Sequence, residues 1–412
     1  MPRLLIIGYV WPEPKSSAAG ARMMQLIEFF KKENYQITFA TTARETDNKV
    51  DLNSLSIDSE KIKLNDPEFD DFLKELMPDA VLFDRFMMEE QFGWRVDNIC
   101  PEAIKILDTE DLHFLRNARQ KAFKENREAK DIYRNSELAK REIAAIYRSD
   151  LSLIISEPEM ELLRSEFRIP DEILFYLPFM LNPVKEKEQG ELPVFEARKD
   201  FISIGNFLHE PNWNAVLFLK EKIWPDLRKN LPDAKMNIYG AYPTQKVLNL
   251  HNPKENFLVH GWADNSNLVM KSARVCLAPI QFGAGIKGKL VEAMKNGTPS
   301  VTTSFGSEGI SDFNHWNGYV SNETDNFIRR SKDLYSNKEL WQEKQSIGFE
   351  IYNERFNLDF HHERFRKVLF QIIQDLEDHR NANFTGKMLK HHLHKSTYFM
   401  SRFIEEKNRN KN

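Results

Sequence analysis

Two lysines and a glutamate, Lys287, Lys289 and Glu292, follow the loop Gly283-Ala284-Gly285-Ile286 and open a segment of helical pattern over 287–296. Just upstream, the apolar run 275–278 stops at Pro279, so the order is strand, loop, helix. Glycines let a backbone come close to an anion, and the unpaired N–H groups of a helix's first turn point at it. Lysines there oppose the helix dipole and need a reason to be present, which a diphosphate supplies; the alternative is a solvated helix face. After Asn296-Gly297, Pro299 opens a second apolar strand over 300–302, followed by a loop over 304–309. Two successive strand-end loops then face one crevice, the usual ligand position in an open parallel sheet.

The same stretch resembles the donor-sugar signature of GT-B glycosyltransferases, in particular the retaining nucleotide-sugar enzymes of family 4. The residues that carry the resemblance are Pro279, Phe282-Gly283, Glu292-Ala293-Met294 and Gly297-Thr298-Pro299, with a Gly-Ala-Gly-Ile-Lys-x-Lys loop similar to that of a subgroup. The resemblance implies that Glu292 holds the donor ribose hydroxyls and that Lys287 and Lys289 lie near the diphosphate. Ala284 stands where many members carry a first glutamate, eight residues before Glu292, so the contact to the donor sugar ring departs from the family pattern. By the same resemblance Gly205-Asn206 would receive the phosphates and Gly261-Trp262 the base, Trp262 either stacking on it or packing at a domain edge. The loop over 206–212 lacks the family's Arg and Lys, which shifts phosphate charge onto Lys287 and Lys289.

These groups need two sheets to position them. The chain has 412 residues, enough for two domains, with 41% hydrophobic content to build a core in each. Nearly continuous apolar runs at 3–8, 36–41, 80–84, 104–108, 151–155 and 173–177 read as strands of one parallel sheet. Runs at 201–205, 234–239, 257–260, 275–278 and 300–302 read as a second, and helical patterns fall between the strands. The expected fold class is α/β, GT-B, with two Rossmann-like domains facing across a cleft. Residues 1–180 form the acceptor-binding domain, 181–198 a linker, 199–356 the donor domain, 357–379 a helix crossing back, and 380–412 a basic amphipathic tail. The segment 114–148 reads as one long helix or a helical pair.

On the acceptor side, the loop carrying Ser17 and Gly20 follows the first strand, and Arg85 and His113 follow later strand ends, where side chains reach a cleft. A histidine near neutral pH can polarise a hydroxyl, and the resemblance places His113 beside the reacting sugar; a packed or solvated histidine is the other reading. The carboxylates over 108–111 serve equally as helix caps.

A net charge of −4, from 58 basic and 62 acidic residues, gives no ground for nucleic-acid binding. The two cysteines, Cys100 and Cys276, have no metal spacing and read as reduced packing residues of a cytoplasmic protein. His391, His392 and His394 lack companion ligands, so no metal site is expected. No run reaches membrane-spanning length, but the basic tail could lie peripherally on anionic lipid at the inner face of the membrane, unless it is solvated or binds a partner. The expected function is transfer of a sugar from a nucleoside-diphosphate sugar to a glycan, lipid-linked or other acceptor, with retention and without a cofactor or metal, in cell-surface polysaccharide or glycoconjugate synthesis. An epimerase or phosphorylase on the same fold, and a silent nucleotide-sugar-binding scaffold, are the rivals.

Overall fold

Strands buried on both faces need helices on both sides, and the computed structural model of this chain meets that need twice. It describes residues 1–312 and 314–409, with the side chains of 393–395 and 409 outside the description. The tail positions Leu393, His394, Lys395, Arg409 and Lys411 therefore lie, in whole or for their side chains, outside the described residues.

The first sheet has seven parallel strands in the order β3-β2-β1-β4-β5-β6-β7. They are β1 (Arg3–Gly8), β2 (Gln36–Thr41), β3 (Asp58–Lys61), β4 (Ala80–Asp84), β5 (Ile104–Asp108), β6 (Leu151–Ile154) and β7 (Leu174–Tyr176). The second has six parallel strands in the order β10-β9-β8-β11-β12-β13. These are β8 (Lys199–Ile204), β9 (Met236–Tyr239), β10 (Phe257–Gly261), β11 (Ala273–Ala278), β12 (Ser300–Thr302) and β13 (Gly318–Val320). In each sheet the strand order reverses beside the first strand, which puts the ends of β1 and β4, and of β8 and β11, at the crevice.

Each face of the first sheet has its own apolar cluster. Leu5, Ile7, Val81, Phe83 and Leu107 pack on one side, and Leu4, Ile6, Leu82 and Ile106 on the other. The alternation is the period-two consequence of a strand buried on both faces. Phe201, Met236, Ile238, Val275 and Leu277 hold one side of the second sheet.

Three details differ from the sequence reading. The 114–148 segment is three helices, His113–Glu125, Ala129–Tyr133 and Glu137–Arg148, separated where Asn126 takes a left-handed conformation (φ 51°) and where Ser136 is extended. The edge strand β3 was not expected, because its sequence Asp-Ser-Glu-Lys is exposed throughout and carries no apolar alternation. β13 was missed because this three-residue strand is only partly buried and no proline announces it, whereas the equally short β12 is buried throughout and follows Pro299.

The chain passes between the sheets twice, and the two passages touch. Leu181 N–H donates to Phe356 O (2.7 Å) and Leu358 N–H to Leu181 O (2.9 Å). Beyond them, helix Leu358–Gln374 inserts Phe365 among Phe29, Phe30 and Phe175 of the first sheet's layer, with ring centroids 4.3, 6.1 and 5.6 Å away.

Candidate functional site

Helix Ala18–Lys32 starts from the end of β1 and helix Gly288–Lys295 from the end of β11, and their first turns meet. A Cβ on Gly288 would lie 2.8 Å from the Ala18 Cβ, so only glycine permits this approach. Neither first turn carries an acidic residue. Two positive helix ends that meet without acids give an arrangement able to hold an anion, and Ala18 remains exposed beside them. Ser17 Oγ caps its own helix by accepting Gly20 N–H at 3.0 Å. Gly20 lacks the Cβ that would strike the Glu13 main chain at 2.4 Å. Both of these residues build the end of the helix, and Ala18 is the one that reaches across.

Lys289 sits at the floor of this crevice. Its Nζ donates to Asn212 Oδ1 at 2.7 Å and lies 2.8 Å from where a Gly205 Cβ would be. Asn212 Nδ2 in turn donates to Asn206 O (2.8 Å), so Gly205, Asn206, Asn212 and Lys289 are one constellation. Loss of water lowers the Lys289 pKa to about 8, and among the described residues no carboxylate pairs with it. Lys287 is differently employed: its Nζ donates to Gly285 O at 2.8 Å and lies 3.9 Å from Glu308 Oε2. Burial lowers its pKa too, against the pull of Glu308.

Glu292, one turn further along, has its pKa raised by burial, opposed by a hydrogen bond from Ser266. Gly261 takes φ +75° at the end of β10, and Trp262 beside it is 36% exposed, an uncovered indole at the rim.

The loop 283–286 is pressed against the other half of the molecule. Gly285 adopts φ +64°, and a Cβ there would lie 2.8 Å from Asp111 Cβ. Its N–H donates to Glu159 Oε1 at 3.0 Å. Arg119 reaches across to donate to Gly283 O (2.8 Å) and, through both terminal nitrogens, to Glu308 at 2.6 and 2.7 Å. Phe123 and Phe282 lie 5.2 Å apart beside this clasp. Ala284 packs against the apolar cluster of the first sheet, and Ile286 belongs to the cluster that includes Ile155 and Phe179.

On the first sheet's side, helix His113–Glu125 begins under two glutamates. Glu142 accepts the N–H groups of His113 (3.0 Å) and Phe114 (2.8 Å), and Glu159 accepts that of Leu112 (3.0 Å). His113 Nδ1 lies 3.2 Å from Asp111 O and 3.6 Å from Glu142 Oε1. With a proton on Nδ1 for that carbonyl, neutral His113 keeps Nε2 as an acceptor. Burial would raise the Asp111 carboxyl, but Arg116, donating to both of its oxygens at 2.7 Å, holds it down at about 2. Arg116 also stands 3.3 Å from His209 Nε2 in the loop after β8.

Arg85 and Glu110, at the ends of β4 and β5, both take positive φ, 71° and 62°, a strained conformation for non-glycine residues that clusters at working sites. The Arg85 guanidinium lies over the Tyr9 ring (4.9 Å) and 3.6 Å from Asp84. Burial, with Asp108 and Asp84 adding to it, pushes the Glu110 carboxyl well up. Asp108 is neither a cap nor a cleft residue: it pairs with buried Arg22 at 2.8 Å.

Sequence reasoning did not single out Glu159, Glu142, Arg116, Arg119, Glu308 or Asn212. A signal existed for Arg22, a lone charge in the first helix's apolar stripe. A cavity of 520 Å³ borders Glu308 and Gly309 but includes none of Lys287, Lys289 and Glu292.

Residues 198–337 match the glycosyl transferases group 1 family, which covers β8 to the helix after β13. A 148-residue stretch is 24% identical to an uncharacterized 44.6 kDa protein in the cps region of Klebsiella pneumoniae, covering 33% of this chain and 38% of that one. The chain thus spans well under half the length of that relative. Sucrose-phosphate synthase from Thermosynechococcus elongatus superposes with a TM-score of 0.67 at 13% identity, over 91% of this chain and all of the other. A point mutant of S. aureus TarM, solved with Fondaparinux, alpha-GlcNAc-glycerol and UDP, gives 0.68 at 11% identity, over 89% of this chain and 99% of TarM. The architecture is that of the GT-B glycosyltransferases.

Proposed function

We propose that this chain is a glycosyltransferase that takes a sugar from a nucleoside-diphosphate sugar held on the second sheet and passes it to a glycan or lipid-linked acceptor approaching from the first. The observation that carries the reading is Lys289: a lysine with its pKa drawn down to about 8, with no carboxylate partner among the described residues, in the first turn of one of two acid-free helix N-termini that meet at Gly288 and Ala18. A diphosphate there would gain the ammonium and both helix ends while a nucleoside leaves with it. The match over 198–337 to glycosyl transferases group 1 lies on this same half. UDP in the TarM structure makes UDP the first nucleotide to try and its sugar conjugates the first donors.

In this reading Glu292 holds the ribose, Gly261 and Trp262 border the base, and Gly205 and Asn206 line the phosphate pocket with Lys289. His113 Nε2, Arg85 and Glu110 face the acceptor hydroxyl. Stabilisation of the leaving diphosphate rests on N–H groups and a lysine, so transfer would need no metal, and retention follows the family 4 resemblance. The Klebsiella relative's cps region fits polysaccharide synthesis, on the cytoplasmic side of a membrane when the acceptor is lipid-linked.

The test is a thermal-shift and calorimetric screen of the purified chain against UDP, GDP, ADP, CMP and their sugar conjugates, with Mg²⁺ or with EDTA. A ligand that binds only the native state raises its melting temperature. A shift from one nucleoside diphosphate that persists in EDTA and is lost in Lys289→Ala is the expected result. No shift at millimolar nucleotide from a folded sample would overturn the reading. Binding with neither transfer nor slow donor hydrolysis would instead identify a silent nucleotide-sugar scaffold.

A further inference from the structure

The C-terminal helix Phe384–Arg409 spends its inner face on buried contacts and leaves an aromatic stripe outside. On the inner face, buried Arg95 donates to Ser401 Oγ at 3.0 Å and pairs with buried Glu405 and with Asp70. Arg402 joins the same group, 2.7 Å from Glu405 and 3.2 Å from Asp70. Trp94 meets Tyr398 edge to face at 5.3 Å. Near the other end, Asn383 Nδ2 donates to Tyr147 O (2.7 Å), and Gly386 sits so close that a Cβ would lie 2.2 Å from that oxygen. These contacts fix the helix along helices Phe86–Ile99 and Glu137–Arg148 and set its rotation.

With the rotation fixed, Phe384, Phe399 and Phe403 are 73%, 67% and 65% exposed, and Met388 is 47% exposed. At about 100° per residue these four fall within an arc of roughly 100°, a single stripe. Lys387 and His391 are exposed along one edge of it and Lys407 along the other. A recess of 170 Å³ opens beside the first two turns, lined by His379, Arg380, Lys387, Lys390 and Asp150 among others. The recess lies on the packed side of the helix, where Arg380 is spent on Asp150, at 2.9 and 2.7 Å, and Lys390 lies 3.8 Å from Asp97.

Charge identifies the occupant. Residues 380–412 carry eight basic and two acidic side chains, or +6, and with −4 for the whole chain this leaves −10 on residues 1–379. Helix 384–409 itself carries six basic and two acidic side chains, so a second copy docking stripe to stripe would bring +4 against +4. An anionic bilayer complements the helix, accepts phenylalanines at its interface and repels the body.

We propose that helix 384–409 seats this protein on an anionic phospholipid surface, with Phe384, Met388, Phe399 and Phe403 entering the headgroup region. The proposal is independent of the donor site and stands or falls separately from glycosyl transfer.

The test is co-sedimentation of the full chain with vesicles of phosphatidylcholine alone and with an equal part of phosphatidylglycerol, at low and high salt. The expected result is pelleting with the anionic vesicles only, weakened by salt, and reduced at least ~10-fold in the triple variant Phe384→Ser, Phe399→Ser, Phe403→Ser, since each exposed ring loses its apolar transfer. The replaced rings make few internal contacts, so the variant should keep its circular dichroism, melting temperature and nucleotide-induced shift. Equal vesicle binding by the variant would overturn the proposal, as would no binding of the native chain. A dimer seen by light scattering that the triple substitution dissociates, in a chain that ignores vesicles, would overturn it in favour of a second copy.

Discussion

Glu159 Oε1 accepts the N–H of Gly285 across the cleft at 3.0 Å while also accepting that of Leu112, at 3.0 Å, within the first sheet's half. One carboxylate oxygen therefore ties the glycine loop of the second half to the start of helix His113–Glu125. Burial, with Asp111 adding to it, raises the Glu159 pKa to about 7, against hydrogen bonds from Leu112 and Ser156. The folded chain holds a proton that the unfolded chain releases near 4.5. The associated stability is complete below that pH and is lost as pH rises through 7. Glu159→Gln stays neutral and keeps an acceptor oxygen. Melting curves should show the native chain losing stability between pH 5 and pH 8, on the order of 3 kcal/mol at most, with the variant flatter and more stable at pH 8. Parallel curves for the two proteins would remove this role for Glu159.

Lys289 gives nucleotide binding its own pH dependence. Its pKa is lowered to about 8 by loss of water, so the ammonium that attracts a diphosphate is present below pH 8 and disappears above it. Calorimetry from pH 6.5 to 9.5 should show affinity falling through pH 8 in the native chain. Lys289→Met should bind ~10-fold or more weakly below pH 8 and show no such fall, so that the two converge toward pH 9.5, as expected for removing a charge-assisted contact.

The Arg119–Glu308 pair is bidentate and partly shielded, with side chains 17% and 21% exposed. Such geometry is worth more than an exposed pair, and a double-mutant cycle with Arg119→Ala and Glu308→Ala should return a coupling of about 1–2 kcal/mol. Small-angle scattering should show each single variant more open than the native chain. Full additivity together with unchanged scattering would mean that the clasp does not hold the halves together.

Glu292 is tested with a deoxy ligand. If its carboxylate holds ribose hydroxyls, Glu292→Ala should weaken UDP binding by ~10-fold and 2′-deoxy-UDP binding by less, because hydrogen bonds to a charged group are worth about 1.5–3 kcal/mol. Equal losses for both ligands would refute that assignment.

The strand, loop and helix around Gly283–Lys295 were legible in the sequence, as was the alternation of two parallel sheets. Each depends on local rules: continuous apolar runs for strands buried on both faces, proline and glycine at their ends, a helical period between them. Even so, β3 escaped notice because an exposed edge strand has no apolar face to show. The place of Lys289 at a helix start was readable from the sequence, whereas its partner Asn212 was not.

Sequence alone therefore determined the elements and the chemical groups set at their ends, since each residue's own neighbours encode those. Only the tertiary structure decided which groups face one another. Arg119 and Glu308 are 189 residues apart, Glu159 and Gly285 126, Arg22 and Asp108 86, and Lys289 and Asn212 77. No periodicity spans such distances, and a charged residue on a helix reads the same whether it meets water or a partner across a cleft. Two sheets brought face to face choose the partner, because burial makes an unpartnered charge costly and favours a carboxylate or, as for Lys289, an amide oxygen that can accept from it.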